Sequence, residues 1–140
     1  MKYYINLRIS GLGLNLQEIT NQLGIMPVNT CMRGEIHIDE KYGGRETVFQ
    51  EDVWLAEYKP YENAKFEEEL ENFVTQLKPS AIYLKSLAEK HAVTVWISSY
   101  PESEQANVHI TSATINALSE IGATLDCSMA FLKDFYEGNY

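Results

Sequence analysis

Apolar and polar residues alternate in three stretches of the chain, and this pattern predicts three strands. In the first stretch, at about residues 2–10, Ile5 and Leu7 are flanked by polar or mixed neighbours. Successive side chains of a strand point to opposite faces of a sheet, so the apolar positions define one buried face. The same pattern recurs at about residues 92–99 and 123–132. One apolar face per strand indicates a sheet that helices cover on one side only.

Helical spacing of apolar residues predicts the segments between these strands. Helices are expected at about residues 15–23 and 62–77, then in a helical pattern to about 90 with Pro79 at a kink or a new start, and finally up to Gly122. Asn15 and Thr111 or Ser112 are the residue types that cap helix starts, and Gly24 and Gly122 are typical of helix ends.

A long β-hairpin is predicted between the first two helices. Its arms are about Glu35–Ile38 and Thr47–Tyr58, and Gly43 and Gly44 supply the positive φ angles of a tight turn. Val108–Ile110 is predicted as a short edge strand. The expected fold is therefore a two-layer α+β sandwich, ferredoxin-like in style, with helices on one face of a mostly antiparallel sheet of five or six strands. Residues 1–140 are expected to form a single domain, with residues 133–140 as a flexible polar tail.

The chain is acidic, with 11 Lys and Arg against 20 Asp and Glu and a formal charge of -9. Binding to nucleic acid depends on neutralising phosphates with basic side chains, so we expect no nucleic-acid partner. The acidity is uneven, because residues 1–45 carry five basic and four acidic groups while residues 46–140 carry six and sixteen.

The start of the chain lacks the continuous apolar core of a signal peptide, and no window reaches the ~20 apolar residues of a membrane-spanning helix. We therefore expect a cytoplasmic protein that does not bind membranes. The chain has two cysteines, Cys31 and Cys127, and without a signal peptide these are expected to be reduced thiols, although their pairing stays open.

Short motifs resemble a bacterial family, domain of unknown function 4279. Residues 23–27 read Leu-Gly-Ile-Met-Pro at the end of the first predicted helix, residues 33–35 read Arg-Gly-Glu, and residues 122–126 read Gly-Ala-Thr-Leu-Asp. Trp54 also fits the family pattern, whereas Cys31 and Met32 stand where the family has a Trp and a basic residue. The family has no assigned activity, so the resemblance implies no catalytic residue.

Candidate chemistry in the sequence is sparse. Glu35, His37 and Asp39 share one face of a predicted strand, but such a set is more typical of a solvated face than of a metal site. Arg33 lies close to the Cys31 thiol, yet no partner His can be identified for nucleophilic catalysis. We therefore predict no metal, no cofactor and no catalytic residue.

The alternation also determines the sheet face opposite the predicted core. The positions expected to face the helices are Tyr3, Ile5, Leu7, Ile9, Val93, Val95, Ile97, Leu125, Cys127 and Met129, so the opposite face carries polar and aromatic groups. The candidate interaction surface on that face is Tyr4, Arg8, Trp96 and Tyr100. Aromatic residues with polar tips and Arg are common anchors of protein interfaces. Three interpretations stay open: a cover formed by the hairpin or by a homodimer partner, a different protein partner, or a small-molecule pocket.

The leading hypothesis is a non-enzymatic protein-interaction module, expected to form homo-oligomers. A specific version is an antitoxin or immunity protein whose acidic surface complements a basic toxin. The alternative is a small-ligand binder or an enzyme with a pocket between the hairpin and the sheet. The candidate lining of that pocket is Arg33, Glu35, Asp52 and Trp54.

Overall fold

The computed structural model describes residues 2–40, 43–60, 64–103 and 105–131. In these residues a five-stranded sheet and a separate two-stranded sheet combine with α-helices, which confirms the α+β class. The strands are β1 (Lys2–Gly11), β2 (Asn29–Cys31), β3 (Ile36–Asp39), β4 (Arg45–Val48), β5 (Asp52–Tyr58), β6 (Ala92–Tyr100) and β7 (Thr124–Met129). The helices are α1 (Leu16–Leu23), α2 (Phe66–Leu77), α3 (Ala81–Ala88) and α4 (Ser112–Ile121).

The large sheet has the strand order β2-β5-β1-β6-β7, with β1 in the centre. Its pairs are antiparallel except that β6 and β7 run parallel. Parallel neighbours need a crossover connection, and α4 lies within the segment that joins β6 to β7. The sheet is therefore mixed, with one parallel pair in an otherwise antiparallel arrangement, and the ferredoxin-like layout is not confirmed.

Capping residues set the ends of α1 and α4 where the sequence predicted them. The Asn15 side chain accepts a hydrogen bond from the Glu18 backbone N–H at 3.1 Å, and Gly24 ends α1 in the left-handed conformation. The Thr111 hydroxyl caps α4 by accepting from the Thr114 backbone N–H at 3.2 Å. Each side-chain oxygen satisfies a backbone donor that the first helical turn leaves without a partner.

The predicted helix at about residues 62–77 corresponds to α2, which begins at Phe66; residues 61–63 lie outside the described chain. A 3-10 turn at Lys78–Ser80 then separates α2 from α3 and contains Pro79. Proline has no backbone N–H and fits the first turn of a helical segment, so it ends one helix and opens the next. Pro79 therefore marks a boundary between two helices.

The predicted hairpin arm at Thr47–Tyr58 is two strands, β4 and β5, and the sequence did not predict β2. Strands β3 and β4 pair in the same register as β2 and β5. Ile36 lies five positions after Cys31 on one side, and Val53 lies five positions after Val48 on the other. No residue is therefore inserted at the junction of the two sheets. Strands β3 and β4 form a two-stranded extension of the β2–β5 pair, and we call this extension the ribbon.

The core lies between the helices and one face of the large sheet. We call this the inner face; its buried members are Ile5, Leu7, Ile9, Asp52, Trp54, Ala56, Val93, Val95, Ile97 and Ser99. Buried apolar side chains of α2, α3 and α4 pack against them. The predicted burial of Cys127 and Met129 is wrong, because both are exposed on the edge strand β7, where the core reaches only to Leu125.

The structure also corrects two further expectations about strands. Val108–Ile110 forms no strand; Val108 and Ile110 instead pack, partly buried, against the core. The last strand ends at Met129 rather than at about residue 132. The tail predicted at residues 133–140 lies outside the described chain.

Candidate functional site

The face of the large sheet opposite the core is built by alternation along its strands, and we call it the outer face. Strand register places its residues in rows, because Asn6 pairs with Trp96 and Trp96 in turn pairs with Asp126. The outer face includes Lys2, Tyr4, Asn6, Arg8, Leu55, Glu57, Thr94, Trp96, Ser98, Tyr100, Asp126 and Ser128. It therefore contains all four residues of the predicted interaction surface.

Aromatic side chains form the centre of the outer face. Trp96 keeps 39% of its surface exposed and Tyr4 keeps 37%. The Tyr4 and Tyr100 rings meet edge to face, with centroids 6.3 Å apart, and the Lys2 ammonium lies 5.7 Å from the Tyr4 ring centroid. Edge-to-face and cation–π contacts hold aromatic rings in defined orientations. The face therefore presents preoriented apolar area to solvent.

Charges on the outer face are balanced, unlike those of the whole chain. Lys2 and Arg8 are its basic residues, and Glu57 and Asp126 are its acidic ones. Arg8 lies 3.9 Å from Glu51, and both side chains are more than two fifths exposed. An ion pair this long and this exposed contributes little to stability. The Arg8 guanidinium thus lies near the Glu51 carboxylate and remains accessible to solvent.

The ribbon carries a second exposed apolar surface. Ile36 pairs with Val48, and Ile38 pairs with Glu46, so these four residues share one side of the ribbon. Ile36, Ile38 and Val48 remain 61%, 55% and 47% exposed. On the other side, the rings of His37 and Phe49 meet with centroids 6.2 Å apart. We call the Ile36–Ile38–Val48 side the ribbon face.

Asp52, one of the residues predicted to line a pocket, is buried and links two backbone segments through its carboxylate. One carboxylate oxygen accepts from the Arg33 backbone N–H at 2.8 Å, and the other accepts from the backbone N–H groups of Gly13 at 3.0 Å and Leu14 at 3.1 Å. The Arg33 and Leu14 hydrogen bonds hold the pKa of the Asp52 carboxyl below its ordinary value, because they stabilise the ionised form. Asp52 therefore joins the β1–α1 turn to the base of the ribbon.

Trp54 lies on the inner face and is fully buried. Its indole N–H donates to the Thr20 hydroxyl at 3.0 Å, so it is anchored to α1. Arg33 and Glu35 are exposed near the ribbon base. The structure thus brings Arg33 and Asp52 together. Trp54 lies in the core and does not cover the outer face.

A small groove lies elsewhere, between α1 and the segment that leads into β2. Its volume is about 210 Å³. Its lining consists of Leu16, Gln17, Thr20, Met26, Pro27 and Thr30. It does not include the four residues predicted to line a pocket between the hairpin and the sheet.

One buried carboxylate, in the first turn of α2, was not identified by the sequence analysis. Glu69 is buried and accepts a hydrogen bond from the Tyr58 hydroxyl at 2.7 Å. Burial, with Glu69 as a second cause, raises the pKa of the Tyr3 hydroxyl. Glu69 lies on the same helix side as Phe66 and Phe73, which is the one available signal of its burial.

The two cysteines are free thiols, with Cys31 buried and Cys127 exposed. Burial raises the pKa of both thiols, and the Glu35 carboxylate adds to the effect at Cys31. A raised pKa keeps a thiol protonated at neutral pH and lowers its reactivity. Within the described residues, no three His, Cys, Asp or Glu side chains are grouped so as to hold a metal ion.

Sequence reasoning also missed the ribbon face, although Ile36 and Ile38 alternate with polar residues just as core positions do. Alternation identifies a one-sided strand, but it does not say whether a helix layer covers that side. No helix in the described part of the chain combines the length and apolar character that crossing a bilayer would need.

The fold and its two exposed surfaces define an α+β sandwich with an open sheet face and a projecting ribbon. The chain belongs to the family described as Domain of unknown function (DUF4279), whose model matches residues 1–132. Neither a curated protein nor a solved structure matches the chain.

Proposed function

We propose that the protein is a non-enzymatic module that binds other protein chains through its outer face. The observation that carries this proposal is the exposed aromatic centre of that face, formed by Tyr4 and Trp96. Amphipathic aromatic side chains bury a large area at low entropic cost and dominate the energetics of protein interfaces. Contiguous exposed apolar area on a soluble domain commonly marks such an interaction site.

The charges of the outer face favour a protein partner over a nucleic acid. Arg8 and Lys2 are offset by Glu57 and Asp126, so the face presents no net positive field to phosphates. A protein surface with apolar residues flanked by charges of both signs complements it better. Oriented rings and alternating charges would fix the register of such a complex.

An antitoxin or immunity role is a more specific version of this proposal. The acidic excess of the chain includes Glu67 and Glu68 in the first turn of α2, which would complement a basic toxin that also contacts the helix layer. Co-expression with the products of neighbouring genes tests this version. Rescue of growth from a toxic neighbour would support it, and absence of binding to each neighbour would count against it.

The general proposal is tested with an outer-face variant and a matched control. Trp96→Ala removes the central ring, whereas Ile82→Ala removes an apolar side chain that is 91% exposed on α3, away from the outer face. Partners that co-purify with the wild type are identified, and their affinities are then measured by calorimetry with each purified variant. We expect Trp96→Ala to weaken binding at least tenfold, in line with a loss of about 2 kcal/mol at an interface hot spot. Equal binding by both variants would refute the role of the outer face.

The groove between α1 and β2 supports a second candidate function, the binding of a small apolar ligand. Its volume of about 210 Å³ and its Leu16, Met26 and Pro27 lining suit a compact apolar group. A metabolite screen by thermal shift tests this candidate. A ligand of the groove should stabilise the wild type and lose its effect in Thr30→Tyr, which fills the groove. A shift that survives in Thr30→Tyr but disappears in Arg33→Ala would favour the pocket predicted at the ribbon base.

A further inference from the structure

The ribbon is an unusual element because its apolar side has no layer packed on it. A two-stranded hairpin in water is at best marginally stable unless a third strand or another layer covers one side. In the described part of the chain, Ile36, Ile38 and Val48 are each about half exposed or more. Backbone hydrogen bonds from the Gly34 N–H to the Phe49 carbonyl and from the Phe49 N–H to the Glu35 carbonyl nevertheless tie the ribbon to the end of the β2–β5 pair. A preorganised strand pair with an uncovered apolar side is suited to docking.

The same chain leaves a second surface uncovered, the outer face around Tyr4 and Trp96. The sequence had suggested that the hairpin covers this face. Among the described residues of one chain it does not, because both the ribbon face and the aromatic centre remain exposed. The described part of each copy therefore carries two uncovered surfaces of complementary character, one aliphatic and one aromatic.

We propose that the ribbon face of one copy docks on the outer face of a second copy, and that the second copy reciprocates across a two-fold axis. This inference rests on the proposed function, since it names the partner that the outer face binds. A two-fold arrangement satisfies both surfaces of both chains at once and closes the assembly at a dimer. Ile38 and Val48 would then contact the ring of the partner's Trp96.

The available area favours this exchange over simpler pairings. From their exposed fractions, the three ribbon-face side chains expose roughly 300 Å² and the outer face offers a similar area, so two reciprocal contacts bury at most about 1,200 Å². That value reaches the lower bound for specific, stable interfaces. Packing ribbon on ribbon, or sheet on sheet, would bury about half as much and fall in the range of crystal contacts.

Charge also permits a second copy, despite the formal charge of -9 on each chain. The acidic start of α2 belongs to the helix layer, on the opposite side of the sheet from the outer face. Glu46 shares the ribbon face with Ile38, and the outer face offers Arg8 as an exposed cation. Contact between Glu46 and Arg8 of different copies would orient the ribbon. At physiological salt, repulsion between charges farther apart than about 8 Å is largely screened.

Cysteine cross-linking separates the docking modes. In a Cys31→Ser/Cys127→Ser background, one preparation carries Ile38→Cys and another carries Ser98→Cys, which lies beside Trp96 on the outer face and leaves that ring in place. The two are mixed and mildly oxidised, so that two thiols lose two protons and two electrons to the added oxidant and form one disulfide. We expect a cross-linked dimer from the mixture and little from either preparation alone. Ile82→Cys on α3 replaces either partner as the control for random collision.

Each other outcome overturns the inference. Cross-linking within the Ile38→Cys preparation indicates ribbon-on-ribbon packing, and cross-linking within the Ser98→Cys preparation indicates sheet-on-sheet packing. Absence of any cross-link above the Ile82→Cys control means that the ribbon does not dock on a second copy. The proposed function survives that last result if Trp96→Ala still loses a different protein partner, so the two failures can be distinguished.

Sedimentation of the otherwise unmodified chain provides a second measurement that does not depend on replacing the buried Cys31. We expect a dimer whose dissociation constant rises at least tenfold in Ile38→Glu, because this exposed position would bring a carboxylate into the apolar contact. Ile82→Glu should leave it unchanged. A wild type that stays monomeric at high micromolar concentration would contradict the exchange.

Discussion

The inner and outer faces of the large sheet come from the same strands but differ in what they leave unsatisfied. On the inner face, Ile5, Leu7 and Ile9 are fully buried under the helix layer. One residue away in each case, Tyr4, Asn6 and Arg8 point to the outer face and keep contact with solvent. Because the side-chain period of a strand is two, a single alternating pattern encodes a core and a surface together. The comparison shows that one face of the sheet forms the core and that the other leaves aromatic area exposed.

The two tryptophans provide the largest test of this comparison. Trp54→Ala removes a fully buried ring and its hydrogen bond to Thr20, so we expect a loss of about 3–5 kcal/mol in the free energy of unfolding. Trp96→Ala on the outer face should cost less than about 1 kcal/mol, as exposed substitutions do. Urea denaturation of both variants measures the difference. Similar losses would mean that the outer face is part of the folding core.

Asp52 tests whether a charge on the inner face acts as a structural group. In Asp52→Asn, an NH₂ group would face backbone N–H donors, so the variant should be markedly less stable at neutral pH. The folded-state pKa of Asp52 is lowered, so its stabilisation is present above the ordinary carboxyl pKa and is lost as pH falls through the folded value. The gap between wild type and variant should therefore narrow in acid. Thermal melts from pH 7 to pH 2 measure it, and a constant gap would show that ionisation of Asp52 plays no part.

The two cysteines are exceptions to the contrast between a buried inner face and an exposed outer face. Cys127 lies on the inner-face side of the edge strand β7 but is exposed, whereas Cys31 is paired on the outer-face side and is buried. We expect alkylation by iodoacetamide to modify Cys127 first, because burial protects Cys31. Mass spectrometry of timed samples gives the order. Faster modification of Cys31 would indicate that the β2 edge opens readily.

Ser99 is expected to give the smallest effect. Its hydroxyl is buried on the inner face and finds no hydrogen-bond partner among the described residues. Removing a buried polar group that makes no hydrogen bond should leave stability unchanged or raise it slightly, so Ser99→Ala should unfold within about 1 kcal/mol of the wild type. A clear loss in urea titration would reveal a partner for this hydroxyl, such as a bound water.

Local signals predicted much of the fold because their causes lie within a few residues. Asn15 and Gly24 bounded α1, and the alternation at Ile5 to Ile9 identified both faces of β1. Parallel pairing of β7 with β6 could not be predicted in this way, because strand order depends on contacts between distant segments. The exposure of Cys127 follows from the position of β7 at the sheet edge, which its own sequence does not encode.

Of the candidate site, too, one part could be predicted from the sequence and another part could not. Membership of Tyr4, Arg8, Trp96 and Tyr100 in one face followed from the period of two, and their binding role stays a prediction. To predict whether Trp54 and Asp52 line a pocket, one must know which face of the second hairpin arm points into the core. The break between β4 and β5, at residues 49–51, hid that orientation, since the arm was read as one continuous strand.

The central position of β1 has a consequence for how the chain is made. This strand leaves the ribosome before either of its neighbours, and β5 and β6 follow only after residues 52 and 92 have been synthesised. Until then its apolar residues have no sheet to join, and long-range pairings of this kind form slowly. A nascent chain released early would expose Ile5, Leu7 and Ile9 as an unpaired strand that is prone to aggregate. Sheet assembly during translation is therefore a late event, timed by the synthesis of β6.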